Sequence, residues 1–521
     1  MRRFIIPIVA VVVGSSATAA ISQQPVSEST SLSGSRPNIV VIMCDDMGFS
    51  DIGSYGGEIA TPTLDRLSGQ GVRFRNFYNN AKCEHTRASL LTGHWWHHVG
   101  AGANVRYAAE TFGDVMRRGG YRTLMAGKWH AGDIPTRRGF DRYYGLTDGC
   151  CNFWNPGFAR PEEPEPARKR IRRWAIGDWE MLPMTPRSSD FYTTEAFTDA
   201  AIDFVRESGS DDRPVLLYLA YTAPHYPLHA PEDAVAKYRG KYSAVGWDEL
   251  RRRRFERQKE RGVLPPHAEL SPRDPDLPAW ETISRADRDQ WDLRMATYAA
   301  MIEIMDRQIA RVLQSVRESR PGQTTWTLFF SDNGACEDSA DRSTVQGAMP
   351  WEVTSYLTQG RVWANASNTP YRQYKTTNYE GGVRTPLIAH RSDRPLGDRW
   401  SDQVGHVIDV LPTLRDLAGL SSDAAKPGRS LLPAIEGGLA EPRKLYWEFG
   451  KARAIRDHDW KAVRYGKRPW ELYDLASDPT EIHDLASDHA DRLETMVSDW
   501  SLWREDSGPF RSVENKPPSG P

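Results

Sequence analysis

The chain has 521 residues, 39% hydrophobic and 26% charged, which supplies a large core and excludes a disordered chain. Lys plus Arg number 67 and Asp plus Glu 69, a formal charge of −2, so a general nucleic-acid binder is excluded and any anion site must come from a local cluster of Lys, Arg and His. Five cysteines are too few and too scattered for a disulfide scaffold.

Arg2 and Arg3 precede the apolar run Phe4 to Val13, then Gly14, Ser15, Ser16 and the small residues Ala17 to Ala20. That order is expected of a secretory signal peptide over 1–20, cleaved near Ala19 or Ala20. The apolar run is shorter than the about 20 residues that cross a bilayer, and an uncleaved anchor is the competing reading. The mature protein is expected to be exported, periplasmic or secreted, with no membrane span after cleavage. Residues 21–36, rich in Ser, read as a flexible lead-in, and 508–521, rich in Pro and Ser, as a flexible tail.

Four apolar runs read as strands, each followed by polar residues. Asn38 to Met43, rich in β-branched residues, is followed by Cys44, Asp45 and Asp46. Arg122 to Ala126 leads into Gly127, Lys128, Trp129 and His130; Val215 to Tyr221 into Thr222, Ala223, Pro224 and His225; Thr325 to Phe330 into Ser331, Asp332, Asn333 and Gly334. Helical patterns lie between them, over Glu110 to Gly119, Thr194 to Glu207 and Met295 to Arg317. Strands alternating with helices predict an α/β fold with a central, mostly parallel sheet flanked by helices. In such sheets ligands sit beyond the carboxyl ends of the strands, where all four polar clusters fall.

Val404 to Leu417 reads as a helix. After it the pattern changes to short alternating runs, Leu445 to Phe449, Arg453 to Ile455 and Trp460 to Arg464, which predict an antiparallel sheet closed by a helix over Ala490 to Trp503. A boundary near 430 divides a large domain, 37–429, from a small C-terminal α+β domain, 430–507. Arg251 to Arg254, with the Glu and Lys that follow, read as a solvated helix face.

Asp45 and Asp46 are adjacent, and on a regular strand their side chains point to opposite faces. They act together only where the strand breaks into a turn, which Gly48 permits. With Asp332 and the side-chain carbonyl of Asn333 they form an all-oxygen set suited to Ca²⁺ or Mg²⁺ rather than zinc. A pair of capping acids before a helix is the alternative. Lys128, His130, His225 and Lys375 form the local positive patch that the net charge does not supply: Lys as a point charge for phosphate or sulfate oxygens, His as a proton carrier. Cys83-Glu-His-Thr-Arg87 reads as a turn leading into a short helix, where backbone N–H groups favour anions and Arg87, one turn on, faces the same point. A free Cys83 there is a candidate nucleophile.

These segments spell a family. Pro37 to Gly48, Thr61 to Leu67, Cys83 to Gly93, Gly127 to His130, Ala223 to His229 and Ser331 to Gly334 resemble the formylglycine-dependent sulfatases, the arylsulfatase-like branch of the alkaline-phosphatase-like superfamily. Asn368-Thr-Pro370, Lys375, Tyr379 to Arg384 and Trp470 to Leu475 continue the resemblance in the family's order, so that it runs from about residue 37 to 500. It implies a mixed central sheet, a smaller C-terminal domain, and one calcium ion held by Asp45, Asp46, Asp332, Asn333 and the modified residue at Cys83. It implies that a formylglycine-generating enzyme oxidises Cys83 to an aldehyde whose hydrate attacks sulfur. Arg87 would hold the hydrate, Lys128 would bind sulfate, His130 would deprotonate the hydrate, and His225 and Lys375 would face the leaving oxygen and the sulfate. The expected activity is hydrolysis of an aryl sulfate or a sulfated carbohydrate to an alcohol and inorganic sulfate.

The sequence departs from the family in one place. The modification motif is Cys-x-Pro-x-Arg, with Ala sometimes replacing Pro, and here the third position is His85. Either a tolerant modifying enzyme accepts His85, or Cys83 remains a thiol, or the chain is a non-catalytic binder of sulfated ligands. A phosphodiesterase or phosphonate hydrolase of the same superfamily is the other catalytic alternative. Among the remaining residues, Cys44 reads as an unpaired structural cysteine, and pairing among Cys44, Cys150, Cys151 and Cys336 stays open. His94, His97 and His98 lack an acidic or Cys partner for a zinc site. Asn365-Ala-Ser367 matches a glycosylation acceptor, relevant only in a eukaryotic host.

Overall fold

The computed structural model describes residues 36–507, except 103, 104, 107, 108, 424 and 440. The signal-peptide segment 1–20, the lead-in up to 35 and the tail 508–521 lie outside the described residues. Strand β1, Asn38–Asp45, is buried at every position. Its side chains alternate between two apolar clusters, Val40, Ile42 and Cys44 facing one and Ile39, Val41 and Met43 the other. A strand apolar on both faces must be covered on both, and that is what places β1 at the centre of a layered α/β core.

Nine further strands complete this sheet among the described residues: β2 Val72–Tyr78, β3 Arg122–Gly127, β4 Arg142–Leu146, β5 Trp174–Ile176, β6 Trp179–Met181, β7 Val215–Pro224, β8 Thr325–Ser331, β9 Arg384–Arg391 and β10 Arg399–His406. Their order is β10-β2-β9-β8-β1-β7-β3-β4-β5-β6. The centre, β8-β1-β7-β3-β4, is parallel. Strand β9 runs antiparallel to β8 and β2, and β5 antiparallel to β4 and β6, so the sheet is mixed. The four strands expected from the sequence are all present, each ending at its polar cluster.

One face carries the helices Thr193–Glu207 and Arg285–Ser319. The second is 35 residues long, well beyond the Met295-to-Arg317 expectation, because Ser284 caps it by accepting a hydrogen bond from the Asp287 N–H. The other face carries the helices Phe112–Arg118 and Val410–Leu417. Here the Val404-to-Leu417 helix is corrected. Residues up to His406 belong to β10, and the helix starts only after the His406 ring and the Asp409 carboxylate cap the intervening turn.

The solvated-face reading of Arg251 to Arg254 is also corrected. Arg252 and Arg253 point outward and pair with Glu249, but Arg251 and Arg254 are buried. Arg254 lies between Asp51, at 2.6 Å, and Glu58, at 2.8 Å. Arg251 donates to the Ser271 carbonyl and hydroxyl at 2.9 Å. Alternate sides of one helix turn therefore hold solvated and buried arginines, which a run of four identical residues conceals.

A second, antiparallel sheet has the order β11-β12-β13-β14, with β11 Lys444–Phe449, β12 Ala452–Asp457, β13 Trp460–Tyr465 and β14 Glu471–Asp474. The helix Ala490–Asp506 covers one face through Met496 and Trp500. The other face, with Leu445, Trp447 and Val463, packs on Tyr78 and Ala81, in the segment that runs from β2 toward Cys83. Trp447 Nε1–H donates to the Asn79 carbonyl at 2.7 Å, which ties this sheet to that approach. No helix among the described residues is long and apolar enough to cross a membrane.

Candidate active site

The ends of β1, β3, β7 and β8 open onto one pocket. Strand β1 stops at Asp45, and Asp46 itself turns the chain with φ of 64°, a left-handed conformation. The turn therefore does not depend on Gly48 for backbone freedom. Gly48 is required for space, because a Cβ there would lie 2.4 Å from the Ser367 backbone. With the chain turned, both carboxylates serve the pocket. Asp45 Oδ2 accepts from Lys128 Nζ at 2.5 Å, and Asp46 Oδ1 accepts from Lys375 Nζ at 2.5 Å and from Asn333 Nδ2 at 2.6 Å.

Asp332, just past β8, accepts from Arg87 through Nη2 at 2.9 Å and Nε at 3.2 Å. Arg87 also donates to the Lys128 carbonyl at 2.6 Å. The helix Cys83–Thr92 starts at Cys83 itself, earlier than the turn expected there. One ligand atom from each of Asp45, Cys83 and Asp332 lies within 4.8 Å of the others, and the same holds for Asp45, Asp46 and His225. The structure thus brings together Cys83, Arg87, Lys128, His130, His225, Lys375, Asp45, Asp46, Asp332 and Asn333.

The residues fit a hard cation. Asp45 Oδ1, Asp46 Oδ2 and Asn333 Oδ1 are buried and accept no hydrogen bond, which costs free energy unless another positive group satisfies them. Burial and the neighbouring Asp45 carboxylate push Asp332 up to about 6 against the pull of Arg87 and Lys128. Burial works against ionised Asp46 too, but His225 and Lys375 outweigh it and hold the carboxyl below its usual range. Three oxygen donors left unsatisfied beside crowded carboxylates suit a hard cation such as Ca²⁺ or Mg²⁺ better than zinc.

The titrating groups are set for acid–base work. Burial and the Lys128 charge hold His130 well below the ordinary imidazole range, so it is neutral. Burial likewise depresses His225, although Asp46, 3.4 Å from its Nε2, pulls the other way. The Tyr226 carbonyl, 2.6 Å from Nδ1, can only accept, which assigns the Nδ1–H tautomer of His225. Burial opposes the charge on Lys128 and Lys375, but Asp45 and Asp46 respectively outweigh it, and both stay ammonium ions. Burial pushes the Cys83 thiol up, so an unmodified Cys83 is no ready thiolate.

His85 has a place of its own. It is the third residue of the Cys83 helix, buried, with its ring edge-on to Trp96 at 4.1 Å and to Phe449 at 5.0 Å between centroids. Burial lowers it to about 3, so it packs as a neutral aromatic. Glu84 was not singled out from the sequence, yet its Oε2 lies 3.4 Å from His130 Nε2. Only its place beside Cys83 hinted at this. Tyr226, its ring tilted against that of His225 at 4.1 Å between centroids, was also missed as a site residue.

Elsewhere the residues divide. All five cysteines are free and buried, including Cys44, Cys150, Cys151 and Cys336. His94, His97 and His98 enter no group of metal-competent ligands among the described residues. Asn365 lies buried in the helix Arg361–Ser367, closed to a glycan in the folded chain.

The Sulfatase family model matches residues 37–420, and the model for the C-terminal part of N-sulphoglucosamine sulphohydrolase matches residues 373–499. An uncharacterized sulfatase of Schizosaccharomyces pombe is 30% identical over 91% of this chain and 94% of its own. An arylsulfatase of Klebsiella aerogenes is 30% identical over 78% of this chain and 91% of its own. The crystal structure of Ps i-CgsB in complex with k-i-k-neocarrahexaose is 25% identical, covers 93% of this chain and 94% of that one, and superposes with a TM-score of 0.65.

Proposed function

The chain belongs to the sulfatase family and is a sulfuric ester hydrolase, and from that premise we propose that it uses a calcium ion and a formylglycine made from Cys83 to cleave aryl or carbohydrate sulfates. The observation that carries this reading is the convergence of the Asp45, Asp46, Asp332 and Asn333 oxygens with Cys83, Lys128 and Lys375. Those four residues, with position 83, would hold the cation. Bound there, calcium supplies positive charge against sulfate oxygens, and an aldehyde at 83, once hydrated, supplies an oxygen nucleophile.

The protein's own groups account for the rest. In the pocket the carboxylates of Asp45, Asp46 and Asp332 are matched by Lys128, Lys375 and Arg87. A divalent cation added to that balance leaves net positive charge for a sulfate ester. Lys128 and Lys375 bind sulfate oxygens, and their buried position makes each charge count for more than in water. Arg87, fixed by Asp332 and by the Lys128 carbonyl, orients the nucleophile at residue 83. Neutral His130 accepts a proton there, and His225 Nε2, the unprotonated ring nitrogen of the Nδ1–H tautomer, must first take up a proton before it can pass one to the departing alcohol oxygen.

The neighbour in complex with k-i-k-neocarrahexaose favours a carbohydrate sulfate as the natural substrate. The charged, apolar and small-residue order of residues 1–20 supports export to the periplasm or beyond, and a formylglycine-generating enzyme would be the maturation partner. The test is the mass of the peptide carrying residue 83, from protein made in its own host, with sulfate release measured on the same sample. Trypsin cuts at Lys82 and Arg87, so a second protease gives the longer fragment. A formylglycine mass with sulfate release is expected; a plain cysteine with no release overturns the mechanism.

A further inference from the structure

The rim of this pocket carries a cluster of cations. Residues 148–150 follow β4 and lie beside His130: a side-chain carbon on Gly149 would be 3.4 Å from His130 Nε2 and 3.7 Å from Arg172 Nη1. Asp148 Oδ1 receives both Arg170, at 2.8 Å, and Arg172, at 3.0 Å. Asp338 pairs with both Arg342, at 2.9 Å, and Lys169, at 3.6 Å. Four cations therefore share two carboxylates. Arg342 Nη1 is buried and donates to nothing among the described residues.

Two tyrosines lie among these cations beside the catalytic residues, Tyr226 part-exposed and Tyr356 buried. The Tyr226 ring is tilted 38° against that of His225, 4.1 Å away, and its centroid is 6.0 Å from that of Tyr356. Lys169 Nζ sits 4.9 Å above the Tyr226 ring, and the Arg342 guanidinium 5.7 Å above the Tyr356 ring. A part-exposed tyrosine set among cations suits a sugar bearing an anionic substituent.

Resting on the sulfatase reading above, we propose that Lys169, Arg170, Arg172 and Arg342, around Tyr226, form a subsite for a second anionic group on the same substrate. The preferred substrate is then a polyanionic glycan, in which one sulfate is cleaved while a neighbouring sulfate or carboxylate is held at the rim. Monosulfated aryl esters reach the catalytic groups without engaging the rim.

The test uses three disaccharide probes: one with a single sulfate, one with a second sulfate, and one with a uronic carboxylate in place of that second sulfate. Binding is measured by calorimetry on the Cys83→Ala full chain, with and without Lys169→Gln plus Arg342→Gln, and with Arg170→Gln as a milder second variant. A dianionic probe should bind about tenfold or more tighter than the monosulfated one. The rim variants should shrink that ratio, and added salt should shrink it too. The better of the two dianionic probes identifies the second group. Equal affinity for all three probes, or a ratio that the rim variants leave unchanged, overturns the subsite. Sulfate release by the unsubstituted chain is assayed alongside. Release with a flat ratio removes the subsite alone, and a preserved ratio without release removes the sulfatase mechanism alone.

Discussion

Lys375 and Asp46, 329 positions apart in sequence, meet with Nζ 2.5 Å from Oδ1, both buried. The ammonium offsets a carboxylate that also lies beside His225 and Asn333. Lys375→Ala should lower the turnover number on an aryl sulfate on the order of 100- to 1000-fold, the loss seen when a preorganised charge is removed from a water-excluded site. A turnover number within a few-fold of the parent would remove Lys375 from the mechanism.

The unsatisfied oxygens of Asp45, Asp46 and Asn333 make a second prediction about metal. Adding Ca²⁺ to chelator-treated protein should raise its melting temperature, because a ligand bound only by the folded chain stabilises it, by about 2.7 kcal/mol at a hundredfold excess over Kd. Asp45→Asn should weaken that response strongly. An equal Ca²⁺ response in parent and variant would show that the cation binds elsewhere.

His85 permits a third. Its backbone N–H donates to the Lys82 carbonyl at 3.1 Å within the first helical turn, a bond that proline would remove. His85→Pro should cost about 2 kcal/mol in stability, from that lost bond and from lost packing against Trp96 and Phe449. It should raise, or leave full, the fraction of Cys83 converted to the aldehyde, read by peptide mass. A fall in conversion would show that this chain's maturation depends on the histidine.

His229 controls a fourth. Its Nδ1 accepts the Phe153 N–H at 3.2 Å and its Nε2–H donates to the Ser355 carbonyl at 2.8 Å, and burial lowers it to about 4. The ordinary histidine value is about 6.5, so between about 6.5 and about 4 the unfolded chain binds a proton that the folded chain does not. The stabilisation is complete above that window and is lost as pH falls through it, up to about 3 kcal/mol. Urea titrations at pH 7 and pH 4.5 should show a smaller acid loss in His229→Gln than in the parent; equal losses would assign the acid sensitivity to other groups.

Lys461 supports a fifth. It lies fully buried between Glu380 at 2.6 Å and Glu481 at 2.7 Å, where the second sheet meets the core. Lys461→Met leaves two buried carboxylates without their shared cation and should cost about 3 to 5 kcal/mol in chemical denaturation. A loss below about 1 kcal/mol would mean that Arg384, 2.9 Å from Glu380, already carries the balance.

By itself the sequence determined the strands and the place of the chemistry. Strands β1, β7 and β8 are buried throughout because both faces are covered, and their reactive polar residues cluster at or just past the carboxyl ends, so Asp45, Asp46, His225, Asp332 and Asn333 were legible as one region. Only the tertiary structure decided what each side chain meets. Arg251 to Arg254 look alike in sequence, and whether one is solvated or buried depends on Glu58 and Ser271, brought in from distant segments. Residues Val404 to His406 joined β10 rather than a helix because β2 offered its backbone as a hydrogen-bonding partner, a contact with no local signature. Glu84 and Tyr226 entered the site for the same reason: chain order fixes the neighbours along the backbone, while packing between segments fixes the neighbours in space.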